Sequence, residues 1–183
     1  MIRLFEIIIA TVGAIVSLPI ALLILIFCLF DTGKPLFFQQ RMGLREEPFV
    51  LIKFRTMRLG TKSMGSHEVS SSAITPLGIF LRRTKLDELP QLINVINGSM
   101  SFVGPRPNLY SQDEVVRERR ALRIYEVKPG ITGISQLRGV DMSSPKQMAA
   151  LDRKMLDELD ISLYFRLIIR TVRGEGSGDA AAN

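Results

Sequence analysis

"IIIATVGAIVSLPIALLILIFCLF", residues 7–30, is a run of 24 residues without a charge. Drawn as an α-helix at about 1.5 Å per residue it measures roughly 36 Å, and a hydrocarbon core is about 30 Å thick. The run is too long for the apolar part of a secretory signal, and no small-residue cleavage site closes it. Pro19 stands near its middle. A proline inside a helix removes one hydrogen bond and crowds the carbonyl four residues back, so a kink is expected there. Ser17 is close enough in sequence to lend its hydroxyl to a freed carbonyl. Arg3 precedes the run, and Lys34, Arg41 and Arg45 follow it. Positive charge on both flanks blunts the usual orientation rule. Two readings stay open: a helix that spans a membrane, and a kinked hairpin that enters and returns with both ends in the cytosol.

The rest of the chain is less apolar. Its 183 residues allow one domain with a modest core plus a membrane element. The 46% of hydrophobic residues and the mean hydropathy of +0.20 owe much to the N-terminal run. The single cysteine, Cys28, excludes an intramolecular disulfide and fits a reducing compartment. The single histidine, His67, stands in a Ser/Gly-rich stretch, which argues against a His-rich zinc site and against Ser-His-Asp catalysis. The net charge of +6 suits an anionic partner: nucleic acid, anionic lipid or a phosphorylated small molecule.

Beyond a turn at "DTGKP", "LFFQQRMG" and "PFVLIKFRTM" carry the alternation and aromatics of a small β-hairpin. Residues 60–76 are rich in Ser and Gly and read as a mobile loop. Leu77, Phe80 and Leu81, then Leu89, Leu92, Ile93 and Ile96, are spaced as two helical pieces. Pro90 is tolerated in a first turn, which puts Asp87 near the start of the second piece. "NGSMSFVGPRPN" reads as a turn-rich connection, 111–127 as a charged helix with a sparse apolar face, and "KPGITGISQLRG" as a Gly-punctuated loop. Residues 145–173 read as helical, with Met148, Leu151, Met155, Leu156, Leu159, Leu163, Leu167 and Ile168 near a 3.6 period. Arg166, Arg170 and Arg173 suit a helix resting on a membrane surface; a core-facing helix with a solvated face fits as well. "GEGSGDAAAN" has no apolar anchor and reads as disordered.

Between Lys53 and Lys85 there are seven basic residues (Lys53, Arg55, Arg58, Lys62, Arg82, Arg83, Lys85) and one acid, Glu68. Asp87 and Glu88 follow directly. Carboxylates beside cations and at a helix start should be ionised at neutral pH. Such a pair attracts a divalent cation, and Mg²⁺ commonly combines one or two carboxylates with substrate phosphates. The arrangement could hold a metal-bound diphosphate and offer a carboxylate nucleophile; ordinary charges in a first helical turn would look the same. In "GPRP", residues 104–107, two prolines fix the backbone around Arg106, whose guanidinium suits bidentate phosphate recognition. "PGITG", residues 129–133, offers backbone that can approach a ligand closely, without the spacing of a Walker loop or a dinucleotide fingerprint.

Taken in order, the apolar segment with its internal proline, "KFRTM", "RRTKLDELPQLINVINGSMSFVGPRP" and "KPGITG" resemble the bacterial sugar transferase family, the monotopic phosphoglycosyl transferases. The resemblance covers about residues 1–173, and the run from Leu81 to Pro107 is its most specific part. It implies transfer of a phosphosugar from a UDP-sugar to a membrane polyprenyl phosphate, usually undecaprenyl phosphate, with release of UMP and a need for Mg²⁺. It implies that Asp87 attacks the sugar-bearing phosphate to give an aspartyl-phosphosugar intermediate, and that Glu88 assists by metal or proton management. By the same resemblance Arg82 faces the polyprenyl phosphate, Pro105, Arg106 and Pro107 contact the nucleotide-sugar, and Lys53 and Arg55 belong to the substrate-binding set. The N-terminal segment is implied to be a re-entrant hairpin broken near Ser17 and Pro19, on the cytosolic face of a bacterial inner membrane.

The expected fold is therefore α+β and mostly helical. A re-entrant membrane anchor (1–30) precedes a small cytosolic catalytic domain (31–173) with amphipathic interfacial helices and a short β-hairpin, then a disordered tail (174–183). The chain departs from the family pattern at Leu18, which separates Ser17 from Pro19, at Ser99 and at Tyr164. At Gly139-Val140 the family commonly has Gly-Arg; Arg138 lies on the other side of the glycine and is carried as a phosphate-contact candidate. The alternative function is a non-catalytic, membrane-anchored basic module that binds anionic lipid or a partner glycosyltransferase. Nucleic-acid binding lacks a reading helix or a stacking platform, with 7% aromatics and no Trp. Apolar packing beside a membrane permits a homodimer without requiring one. The pathway expected is initiation of glycoconjugate or exopolysaccharide assembly, with the sugar unspecified.

Overall fold

The computed structural model describes residues 2–61 and 71–176. Lys62, His67 and Glu68 of the expected loop, and 177–183 of the expected tail, lie outside the described residues. The fold is mostly helical α+β: a long apolar N-terminal helix, shorter helices and two small sheets. The described residues divide into two compact units, 2–39 with 50–61 and 71–98, and 40–49 with 99–176.

In the first unit, helix α1 (Ile2–Thr32) runs uninterrupted with Pro19 inside it. The hairpin break expected at Ser17 and Pro19 is not a break in helical structure: Ser17 Oγ donates to Ala14 O (3.4 Å). That is one residue short of Ile15, whose carbonyl the proline deprives of its intrahelical donor. α1 is long and apolar enough to cross a membrane, yet little of its central stretch is buried. Ile15, Val16, Leu22, Leu23, Phe27 and Phe30 are all exposed, Phe30 at 88%. One stripe of α1 packs inward: Ile24 and Cys28 join Phe54 and Leu81, with Leu86 and Leu89 packed against them. Both ends of α1 are hydrogen-bonded to this unit. Arg3 Nη2 donates to Val95 O (2.6 Å) and Ile96 O (3.1 Å), and Thr75 Oγ1 donates to Asp31 (2.6 Å).

Strands β1 (Leu36–Met42) and β2 (Pro48–Phe54) form the expected two-stranded sheet, each running from one unit into the other. Helices α2 (Pro76–Arg83) and α3 (Gln91–Asn97) complete the first unit. α2 is capped by Thr75, whose hydroxyl accepts from Gly78 N (2.9 Å). Its first turn lies against the chain just beyond β2: a Cβ on Gly78 would stand 2.1 Å from Thr56 O. α3 is fastened to β2 by one side chain, because Asn94 donates to Val50 O (2.7 Å) and accepts from Ile52 N (3.1 Å). Ile79, Phe80 and Ile93 face outward from these helices.

In the second unit, β3 (Ser101–Val103) and β4 (Gly130–Thr132) pair in parallel, with Ser101 opposite Gly130 and Val103 opposite Thr132. Helix α4 (Asp113–Ala121) lies between them in sequence; α5 (Ile134–Leu137), α6 (Pro145–Glu158) and α7 (Ile161–Val172) follow. The stretches read as a turn-rich connection and a Gly-punctuated loop thus each contain a short strand. The helix expected over 145–173 is two helices, because Asp160 takes an extended conformation and accepts from Leu163 N (2.6 Å), starting α7 anew. That break leaves Leu159 at the surface, while Met155, Tyr164 and Leu167 close the core with Val103 and Leu137.

Candidate active site

The first unit brings Lys53, Asp87 and Glu88 together. The dyad is not in the first turn of a helix, as its spacing from Pro90 suggested. Leu86–Glu88 form a separate 3₁₀ turn, entered through Lys85 in the left-handed region (φ 58), and α3 begins only at Gln91. Leu86 and Leu89 anchor this turn against the α1 cluster. The turn is therefore held by apolar contacts on both sides of the two acids, and Asp87 is 2% exposed. Lys53 Nζ donates to Glu88 Oε1 at 2.9 Å, with only 10% and 13% of the two side chains exposed. A partly buried pair of this kind is screened weakly by salt, and removing one partner would strand the other charge.

Arg82 is buried, and its Nε donates to Thr56 Oγ1 (2.8 Å). Thr56 also takes Thr75 N on its carbonyl (3.0 Å), so one residue ties β2, α2 and the Arg82 side chain. Arg55 has a different setting. Its Nε donates to Lys34 O (2.8 Å), its Nη2 donates to Leu36 O (3.1 Å), and its guanidinium lies 5.3 Å from the Phe37 ring centroid. These contacts stabilise the chain where it leaves α1 for β1.

Pro105, Arg106, Pro107 and Arg138 belong to the second unit. There the glycines of "PGITG" serve a purpose the sequence did not disclose. A Cβ on Gly130 would stand 2.0 Å from Gly104 N, and one on Gly104 would stand 2.5 Å from Lys128 O. The backbone expected to approach a ligand instead approaches the "GPRP" backbone, locking the two stretches side by side. Four successive carbonyls are held inward: Pro105 O by Gly130 N (2.9 Å), Arg106 O by Arg119 Nη1 (2.6 Å), Pro107 O by Arg41 Nη1 (3.2 Å) and Asn108 O by Met42 N (3.0 Å). The main chain of this segment is thus occupied by internal hydrogen bonds, and the Arg106 side chain is half-buried. Arg138 is exposed at the end of α5.

Sequence reasoning missed Asn94, Arg119 and Asp152. Arg119 and Asp152 form a sealed pair (2.7 Å; side chains 2% and 0% exposed). The available signal was spacing: Arg119 lies four residues after buried Val115, and Asp152 between buried Met148 and Met155.

Two adjacent carboxylates are a donor set that suits Mg²⁺, which keeps several waters and takes oxygens from substrate phosphates. Among the described residues there is no cluster of three His, Cys, Asp or Glu side chains that would make an all-protein cage.

Residues 1–175 match the family model described as Bacterial sugar transferase. The chain is 41% identical to an uncharacterized sugar transferase, EpsL, of Bacillus subtilis (strain 168), over 77% of this chain and 70% of that protein. It is 38% identical to the UDP-glucose:undecaprenyl-phosphate glucose-1-phosphate transferase of Escherichia coli (strain K12), over 75% of this chain and 31% of the longer relative. It is 33% identical to the protein of the same name from Caulobacter vibrioides (strain ATCC 19089 / CIP 103742 / CB 15), over 93% of this chain and 67% of that one. The chain belongs to the bacterial sugar transferase family.

Proposed function

We propose that this phosphoglycosyl transferase moves a phosphosugar from a UDP-sugar to a membrane polyprenyl phosphate, undecaprenyl phosphate by the relatives' names, and releases UMP. One observation carries the reading: the unit that holds the Asp87–Glu88 turn with Lys53 also carries the exposed apolar face of α1, α2 and α3. A lipid acceptor requires its reactive groups beside a membrane-embedded surface, and an exposed apolar face of this extent marks such a surface.

In the first displacement a carboxylate oxygen of Asp87 bonds to the sugar-bearing phosphorus, and the bond to the bridging oxygen breaks, so that oxygen leaves with UMP. In the second, a phosphate oxygen of the polyprenyl acceptor displaces the Asp87 oxygen, restoring the carboxylate. Splitting the transfer lets one site serve two bulky phosphate substrates in turn. Lys53 fixes the Glu88 carboxylate beside the nucleophile, and Glu88 assists as metal ligand or in proton management. Asp87 and Glu88 would hold Mg²⁺ together with substrate phosphate, and the bound ion would supply charge neutralisation for the diphosphate. Arg82, set by Thr56, is assigned to the acceptor phosphate. In the second unit Pro105, Arg106 and Pro107 are assigned to the nucleotide-sugar and Arg138 to a phosphate contact.

On this reading the enzyme lies on the cytosolic face of the bacterial inner membrane, with α1 bending at Pro19 within its continuous helix so that it enters and returns. A crossing helix would separate its ends by about 30 Å of hydrocarbon, whereas both ends of α1 bond to one folded unit. A cysteine at position 2 in a Cys28→Ala background is expected to resist a membrane-impermeant thiol reagent in intact cells; labelling from the periplasm would show a crossing. The chemistry is tested with a UDP-sugar panel, Mg²⁺ and a polyprenyl phosphate, reading UMP release, and with donor alone, reading the mass of the Asp87 peptide. A phosphosugar adduct is expected. Parental turnover by Asp87→Asn would remove the case for a covalent intermediate.

A further inference from the structure

The second unit contains a buried polar network that the proposed chemistry does not use. Asp152 accepts from Arg119 Nη2 on one oxygen (2.7 Å) and from Ser135 Oγ on the other (2.7 Å). Arg119 Nη1 donates both to Arg106 O (2.6 Å) and to Asn108 Oδ1 (3.0 Å), and Tyr125 Oη donates to the same Asn108 oxygen (3.0 Å). Burial holds the Tyr125 phenol above its ordinary pKa, so it stays a donor through neutral pH. Arg119, Asp152, Ser135 and Asn108 are each 1% exposed or less.

A sealed ion pair is poor evidence for stability, since desolvation cancels much of its attraction. Its geometry gives it another use. Arg119 is a planar fork whose one edge is aligned by a carboxylate and whose other donor fixes a main-chain carbonyl. That carbonyl belongs to Arg106, the residue assigned above to the nucleotide-sugar. We infer that the Arg119–Asp152 pair positions Arg106 toward the nucleotide-sugar, and that Asp152, through Ser135, couples this position to the segment that starts α5. Arg119 and Asp152 act through Arg106 and touch no substrate. The inference rests on the assignment of Arg106 to the donor.

The test uses full-length enzyme in detergent or lipid. Arg119→Met with Asp152→Leu replaces the pair by apolar groups, a change that commonly preserves folding while removing the donor to Arg106 O. Arg119→Lys keeps the charge but not the fork, and is the second variant should the first not fold. Either is expected to raise KM for the UDP-sugar by about tenfold to a hundredfold, with KM for the polyprenyl phosphate within about twofold of the parent, and to have no further effect in an Arg106→Ala background. Equal changes in both KM values, or effects that add to those of Arg106→Ala, would reduce the pair to a structural role and overturn the inference. If Arg106→Ala alone leaves KM for the UDP-sugar unchanged, the donor assignment fails and the positioning role falls with it.

Discussion

Each unit contains a Lys or Arg paired with an acid from a distant part of the chain, and the two pairs sit at different depths. Lys53 and Glu88 keep 10% and 13% of their side chains in contact with solvent. Arg119 and Asp152 keep 2% and 0%. The first pair adjoins the Asp87 nucleophile candidate in a turn gripped by two leucines, where a substrate phosphate or cation can compete for it. The second is closed off and spends its donors on main-chain carbonyl and amide oxygen. On the proposed reading, the same interaction serves chemistry where it is left within reach and shape where it is sealed.

The sharpest way to break this comparison is Asp87→Asn. It should lower UMP release by about a thousandfold or more with the fold intact; a small loss would leave the first unit without a chemical role. Next, Lys53→Met and Glu88→Gln should each lower kcat by roughly a hundredfold. Because they share one contact, the double variant should be little worse than either single. Fully additive losses would show that the pair does not act together. In the second unit, Gly130→Ala drives a methyl into Gly104 N and should destabilise the unit by about 3 kcal/mol, read by chemical denaturation. Asp160→Ala removes the cap of α7 at about 1 kcal/mol. The smallest effect concerns Glu46, whose carboxyl is held below its ordinary pKa by its hydrogen bond from Arg120 (2.6 Å). A lowered folded-state pKa contributes stability above the ordinary carboxylate range and loses it as pH falls. Glu46→Gln should therefore be slightly less stable than the parent at neutral pH and indistinguishable from it in acid.

The two units also differ in how much of them could be read in the sequence. The dyad is two adjacent letters, and α1 announces itself by 24 uncharged residues. The β-hairpin followed from alternation, which is local. What lay out of reach was pairing across distance. Arg119 sits in "DEVVRERRA", where its two neighbouring arginines, Arg117 and Arg120, are exposed, and nothing local separates it from them except its spacing from Val115. The strands β3 and β4 are three residues each, too short for a period-2 pattern, and exist because two glycine-bearing segments meet. The break before α7 was legible as an Asp preceding an apolar run, but the heptad-like spacing across it masked the cap.

The described part of the first unit ends at Gly98, whereas the second draws on residues as far along as α7. During synthesis the N-terminal portion emerges from the ribosome with its whole apolar face and both acids before the later portion exists, and domains commonly form in that order. Lipid can thus receive a nascent chain at α1 while the arginine-holding segments are still being translated.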